Sequence, residues 1–470
     1  MPSPRIHLPP ARVPSWADLR RELEVVEDVT PEALAEAEQA ARAPRLPELD
    51  RTDLPLVTID PPDSRDLDQA LAIARDGDGY AVHYAIADLT AFVVPGGALD
   101  LELLQRGETL YAPDTRVPLH PHVLGEGAAS LLPDQVRPAA LWSVALDAHG
   151  EVTSARVERA KVRSRAKLSY AQVQAALDDG SADEQLQLLR EVGELRQQRG
   201  RDRGAVDLPT PDQEVTDGPD GRPRLELRAP LPVEGWNAQI SLLTGMAAAR
   251  MMLDAGVGLL RTLPPPDADD VTALRRSALA LGVRWDTDEE YAEVVSRLDA
   301  SVPAEAAVLA LSTRLLRGAG YTAFDGGPPE QPLHSAVAAP YAHVTAPLRR
   351  LADRTATEVC LAVCAGTPVP DHVRARLPEL PAVMTDSGRR ASALERATVD
   401  LAEAVVLAPC VGEEFDAVVV DAGPRYGTVQ LAEPPVRARC DGADLPLGQS
   451  VKVRVVTADP RTRKVLLAPA

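Results

Sequence analysis

Apolar and polar positions fall into three rhythms along the chain. Residues 15–43 carry apolar side chains at helical spacing, with Trp16, Leu19, Leu23 and Val26 on one stripe and Ser15 placed to cap it. Thr30-Pro31 opens a second helix that closes before Pro44, and the Pro- and Asp-rich stretch 44–55 reads as a linker. From Leu56 the rhythm turns to short strands, Leu56 to Ile59 and Tyr80 to Ile86, with Asp76-Gly77-Asp78-Gly79 as a turn between them. Helical spacing returns at 168–201, 236–255, 267–281, 288–298, 304–317, 347–365 and 387–407. Near the end, five strand-like runs (Phe415 to Val420, Gly427 to Leu431, Val436 to Cys440, Ser450 to Val456, Lys464 to Leu467) are separated by Gly, Pro and Asp. Five short strands in that space predict a small closed barrel such as an OB fold. The pattern as a whole predicts an α+β chain. A small helical segment over 1–50, either a docking arm or helix-turn-helix-like, precedes a large domain of mixed sheet and helices over 51–409. The five-stranded OB-fold barrel follows over 410–470.

Composition narrows this only slightly. The 470 residues are 45% hydrophobic, enough for a sizeable core. No apolar run approaches the roughly 20 residues of a membrane span, and none near the start suits a signal peptide, so a cytoplasmic protein is expected. The four cysteines are too few for a disulfide framework, and Cys360 and Cys364, one turn apart, read as two small buried residues. His120 and His122 flank a proline with no further zinc ligand nearby, and read as a polar loop. The formal charge of −20 disfavours unselective nucleic-acid binding, yet it describes a whole surface and leaves a basic channel open.

The chemistry concentrates in Asp60-Pro61-Pro62-Asp63-Ser64-Arg65-Asp66-Leu67-Asp68-Gln69, where strand-like residues flank four aspartates. In extended chain Asp66 and Asp68 would face the same side, roughly 6.5–7 Å apart, and a Pro-Pro turn would fold Asp60 back over them. Such carboxylates repel one another, and a hard divalent cation is their natural counter-ion. A solvated acidic turn fits the spacing equally well. A calcium loop does not, because its sixth-position Gly and twelfth-position Glu are missing.

The segment resembles the signature D-x5-D-x-D-D of the ribonuclease II/ribonuclease R (RNB) family, with Asp60, Asp66 and Asp68 on the first three positions and Gln69 on the fourth. The resemblance continues through Ala85-Ile86-Ala87-Asp88-Leu89-Thr90, Thr109-Leu110-Tyr111-Ala112-Pro113 and Val117-Pro118-Leu119. It extends to Tyr341-Ala342-His343-Val344-Thr345-Ala346-Pro347-Leu348-Arg349-Arg350, covering about residues 55–408. It implies an RNB-type catalytic domain, a C-terminal OB-fold RNA-binding domain and a hydrolytic 3′→5′ exoribonuclease releasing 5′-nucleoside monophosphates in RNA turnover. Mg²⁺, or Mn²⁺, would be the cofactor and single-stranded 3′ ends the substrate, with no nucleotide cofactor. On the matching positions, Asp60, Asp66 and Asp68 would bind the metal, with Gln69 ligating through its amide oxygen directly or through water, and Arg349 would grip phosphate at the 3′ end. Tyr111 would stack on a base and Glu395 would stand near the terminal sugar. Arg425, Tyr426, Arg437, Arg439, Lys452 and Arg454 would track the backbone across the barrel.

Four departures accompany the resemblance. Gln69 replaces a carboxylate. Leu208 stands where ribonuclease II carries a second stacking phenylalanine. Ala128-Ala129-Ser130-Leu131 lacks the usual cysteine, a change in packing. Only 59 residues precede Asp60, too few for the two cold-shock barrels usual in the family. A more open channel mouth, tolerant of duplex RNA with a 3′ overhang, follows as an expectation. The reading from another class is a catalytically inactive RNB-like RNA-binding or adaptor protein, which Gln69 and the acidity favour.

Overall fold

The structure, a computed structural model, describes residues 16–206, 212–217, 223–228, 230–299 and 302–470. The expected cap Ser15 and the position Leu208 lie outside the described residues. The first helices are α1 (Trp16–Glu22) and α2 (Pro31–Arg42). Pro31 opens α2 as expected, but the Thr30 hydroxyl donates to Glu102 instead of capping the helix. Val26 leaves the predicted stripe and is 64% exposed, because α1 stops at Glu22 and Glu24 turns the chain with φ 54°. The two helices serve different bodies. Trp16 and Leu19 of α1 pack with the C-terminal barrel, whereas Ala33 and Ala37 of α2 join the core of the large domain.

That core is built on β1 (Val57–Ile59), β2 (Gln69–Asp76) and β3 (Gly79–Ala87), followed by α3 (Ala98–Arg106) and a tiny hairpin, β4 (Leu110–Tyr111) with β5 (Arg116–Val117). The long strands β6 (Val136–Leu146) and β7 (Val152–Arg163) and the short β8 (Ala166–Leu168) complete a six-stranded sheet ordered β7-β6-β3-β2-β1-β8. Gly77, at φ 58°, makes the tight β2–β3 turn that the Asp-Gly-Asp-Gly run predicts. β1 runs parallel to β8 and antiparallel to β2. The acidic segment therefore leaves the sheet between β1 and β2.

Helices α4 (Tyr170–Asp179), α5 (Glu184–Asp202) and α6 (Pro232–Ala255) come next, the predicted 168–201 run being broken at Gly180, φ 76°. A hairpin of β9 (Asp212–Asp217) and β10 (Pro223–Arg228) precedes α6, and β11 (Val257–Thr262) follows it. Helices α7 (Ala268–Ala280), α8 (Tyr291–Ser296) and α9 (Pro303–Ser312) form a satellite, and β12 (Gly320–Asp325) returns to pair with β11. After β13 (Leu333–His334) and β14 (Ala339–Pro340) come α10 (Leu351–Ala365), α11 (Asp371–Arg376) and the 28-residue α12 (Leu380–Leu407). The barrel strands are β15 (Glu414–Ala422), β16 (Tyr426–Leu431), β17 (Arg437–Asp441), β18 (Ser450–Asp459) and β19 (Lys464–Pro469), closed in the order β15-β16-β17-β19-β18. Leu401, Val406 and Leu407 of α12 share one apolar cluster with the barrel interior, so α12 ties the barrel to the large domain.

Two sequence readings need correction. Cys360 is buried as expected, but Cys364 is exposed at the end of α10. His120 is no polar surface residue: it is 1% exposed, with Nδ1 donating to the Leu348 carbonyl at 3.0 Å. Among the described residues no helix is long and apolar enough to cross a membrane.

Candidate active site

The acidic segment is fastened before any carboxylate is considered. As β1 ends, Asp60 N donates to Leu168 O of β8, and Ser64 N donates to Pro61 O, closing the Pro-Pro turn. Lys167 Nζ donates to the carbonyls of Pro62 and Ser64, both at 2.6 Å, and so holds the turn down. Ser130, fully buried, accepts from Leu67 N at 2.9 Å and donates to Arg65 O at 2.6 Å, while Leu131 N donates to Leu67 O. Leu67 is itself fully buried and acts as a peg between Asp66 and Asp68. These fastenings fix the two aspartates in irregular chain just before β2, where the sequence suggested a strand.

The opposite wall is the loop Thr345 to Arg350. Asp68, 4% exposed, accepts from Leu348 N at 2.7 Å and faces Arg349 Nε at 3.2 Å. Gln69 Nε2 donates to Thr345 O. Behind the loop, buried Asp353 accepts from Ala346 N and pairs through both oxygens with Arg350. Thr109 N donates to Arg349 O, joining this loop to the β4–β5 hairpin that presents Tyr111. Asp66 turns toward that hairpin and takes Arg116 Nη1 at 2.7 Å, with Glu126 as the second partner of Arg116.

Burial pushes Asp60 up to about 6 and Asp68 up to about 8, with Arg349 pulling both down and Asp66 pushing both up. Burial and the Asp60 charge raise Tyr170, on the first turn of α4, to about 12, and its hydroxyl accepts from Asn237 Nδ2 at 3.4 Å. Burial holds His120 down to about 3, so it is neutral and its Nδ1–H braces Leu348.

The structure thus gathers Asp60, Asp66, Asp68, Gln69 and Arg349, with Tyr111, 42% exposed, at the edge and within electrostatic reach of Arg349. Glu395 lies half-buried on α12, whose neighbouring Leu394 packs with Leu110 of β4. Among the described residues no three His, Cys, Asp or Glu side chains converge closely enough to hold a metal ion. Asp66 is spent on Arg116, and Asp68 on Leu348 N and Arg349. A separate cavity of about 630 Å³ is lined by Asp88, Asp100, Arg159 and Arg354 and none of the site aspartates. Arg159 is already paired to Asp88, and Arg354 and Arg376 to Asp100.

Residues 49–363 match the family model described as the RNB domain. The chain belongs to the RNB family. Residues 413–470, the barrel, match the RNase II-type exonuclease C-terminal S1 domain. The RNB chain is 31% identical over 323 residues to the exosome complex exonuclease RRP44 homolog A of Arabidopsis thaliana, covering 65% of this chain and 34% of that protein. It is 28% identical over 337 residues to ribonuclease R of Escherichia coli, covering 68% of this chain and 40% of that one. The chain thus matches only a third to two fifths of the length of these relatives. The fold is similar to the solved structure of Mycoplasma genitalium RNase R in complex with ribose methylated single-stranded RNA. That match has TM-score 0.84 and 18% identity, covering 97% of this chain and 77% of that one.

Sequence reasoning missed the parts that hold this RNB site together: Ser130, Lys167, His120, Asp353, Arg116 and Tyr170. Each reads alone as an ordinary polar residue. Ser130 lay inside the run taken as a packing change, and only its burial against Leu67 gives it away.

Proposed function

We propose that this chain is a hydrolytic 3′→5′ exoribonuclease that takes single-stranded RNA 3′ end first and releases 5′-nucleoside monophosphates. Duplex RNA carrying a 3′ overhang is the second substrate proposed. The observation that carries the reading is the contact of Arg349 with Asp68 across two independently fastened loops, with Asp66 within electrostatic reach of both Asp60 and Asp68.

Asp60, Asp66 and Asp68 are the type of donor that a hard divalent cation, Mg²⁺ or Mn²⁺, takes, and Asp66 and Asp68 would have to give up Arg116 and Arg349 to converge on it. All three are oxygen donors, and the burial of Asp60 and Asp68 beside the Asp66 charge calls for positive charge. When bound, such a cation polarises the phosphodiester and supplies a water nucleophile near neutral pH. The chain's own residues do the rest. Arg349 has 41% of its side chain accessible and is held from behind through Asp68, so its planar fork is presented to a phosphate. Tyr111 offers a stacking face beside it. Half-buried Tyr170 stands within electrostatic reach of Asp60. Tyr426 and Arg439, stacked at 4.0 Å, offer the barrel's base and phosphate contacts. Arg439, Lys452 and Arg454 are each paired with a neighbouring carboxylate, but exposed pairs of this kind are weak and open readily for RNA.

Incubation of 5′-labelled single-stranded RNA with the protein tests the proposal. A ladder that shortens from the 3′ end with Mg²⁺ and stops with EDTA is expected; internal cuts, or none, would overturn it.

A further inference from the structure

Resting on the exonuclease reading above, we propose that Gln69 is a positioning residue for Arg349. Its amide N–H holds the Thr345 carbonyl and so sets the loop that carries the arginine, a task the acidic residue of the family pattern could not perform.

A carbonyl oxygen only accepts, so the end of the Gln69 side chain facing Thr345 O must be its NH₂. An aspartate or glutamate there would place carboxylate oxygens against a carbonyl oxygen, and the contact would be repulsive. Thr345 is 4% exposed, so its carbonyl has little water to turn to. The backbone of the loop is otherwise fastened at Ala346 N by Asp353, at Leu348 N by Asp68, at Leu348 O by His120 and at Arg349 O by Thr109. Gln69 supplies the fastening at the start of this series, from the first residue of β2. Adjacent residues Asp68 and Gln69 thus grip the same loop at two points, Leu348 and Thr345. A neutral side chain also spares Asp68 a further negative neighbour. The fourth position of the acidic pattern has in this chain passed from the cation to the phosphate-gripping loop.

The test uses the full chain with Gln69→Ala, Gln69→Glu, Arg349→Ala and the double variant Gln69→Glu/Arg349→Ala. Affinity for a single-stranded oligoribonucleotide is measured in EDTA, and the Mg²⁺ concentration giving half-maximal cleavage is measured separately. Both single Gln69 variants should bind RNA about tenfold more weakly in EDTA, with the Mg²⁺ midpoint moved less than about twofold. In the Arg349→Ala background Gln69→Glu should cost nothing further, because the residue acts through the arginine. Unchanged binding in EDTA with a Mg²⁺ midpoint displaced severalfold would make Gln69 a cation ligand and overturn the proposal. Losses that add in the double variant would overturn it as well. A wild type that binds RNA but never cuts would refute the exonuclease reading alone, since the EDTA binding series still decides Gln69.

Discussion

Replacing Ser130 with alanine isolates the fastening of the acidic segment from its charges. The lost Oγ accepts from Leu67 N at 2.9 Å and donates to Arg65 O at 2.6 Å, and both Ser130 and Leu67 are fully buried. The Leu67 N–H is then left without an acceptor where water has no access, which costs about 1–3 kcal/mol. Arg65 lies at the surface, so its carbonyl can turn to water and adds little. In a domain of this size the melting midpoint should fall by a few degrees. The functional cost should be larger than the stability cost. The two bonds bracket Asp66 and end one residue from Asp68, and a displacement of about 1 Å at a reacting centre can cost on the order of 10²-fold. Single-turnover cleavage of a labelled oligoribonucleotide should therefore slow by about ten- to a hundredfold. RNA affinity, which rests on Arg349, Tyr111 and the barrel, should change by less than about threefold. A Ser130→Ala protein that melts and cuts like the wild type would show that this hydroxyl does not hold the segment. Binding lost in step with cleavage would equally refute the argument.

Arg349→Ala removes both the phosphate grip and the partner of Asp68, and steady-state assays should show kcat/KM down on the order of 10²–10³-fold. Arg349→Lys keeps the charge but not the fork, so full activity in it would contradict the assigned role. Tyr111→Ala should weaken binding of RNA 3′ ends by about tenfold through one lost stacking face, measured by fluorescence anisotropy; unchanged affinity would remove Tyr111 from the RNA path. Asp60 and Asp68 sit at about 6 and about 8 against 3.8 for a free side chain, so between these values the folded chain binds more protons than the unfolded one. Stability in EDTA must then fall as pH rises through that window. The melting advantage of Asp68→Asn, which has no such proton to lose, should accordingly grow from pH 5 to pH 8. An advantage that stays flat or shrinks would contradict it.

The barrel, most helices and two strands of the sheet, β1 and β3, are legible in the chain because their periodicities are strong and their turns carry glycine, whereas β2, β6, β7 and β8 were not read. Gly77 and Gly180 mark where β2 turns and where α4 ends. Val26 misled because its spacing continues a stripe whose helix has already stopped. Cys364 misled because one-turn spacing places it on the same face as Cys360 but not at the same depth near the helix end. Within the site, Asp60, Asp66, Asp68 and Arg349 were legible from their pattern. Their supports were not, since Ser130, Lys167 and Asp353 act through backbone groups 60 residues or more distant, or behind a loop, and no local spacing encodes that. The role of Gln69 was hidden for the same reason, its partner being 276 positions away.

The most direct test of catalysis at this site compares wild type with Asp68→Asn on one 5′-labelled single-stranded RNA in Mg²⁺, with binding measured in parallel. Asp68→Asn removes the carboxyl group facing Arg349 while leaving an amide oxygen to accept from Leu348 N, so the fold should persist. The wild type should give a 3′-shortening ladder, lost in the variant with RNA still bound. An intact substrate with wild type, or an equal ladder from Asp68→Asn, would contradict it.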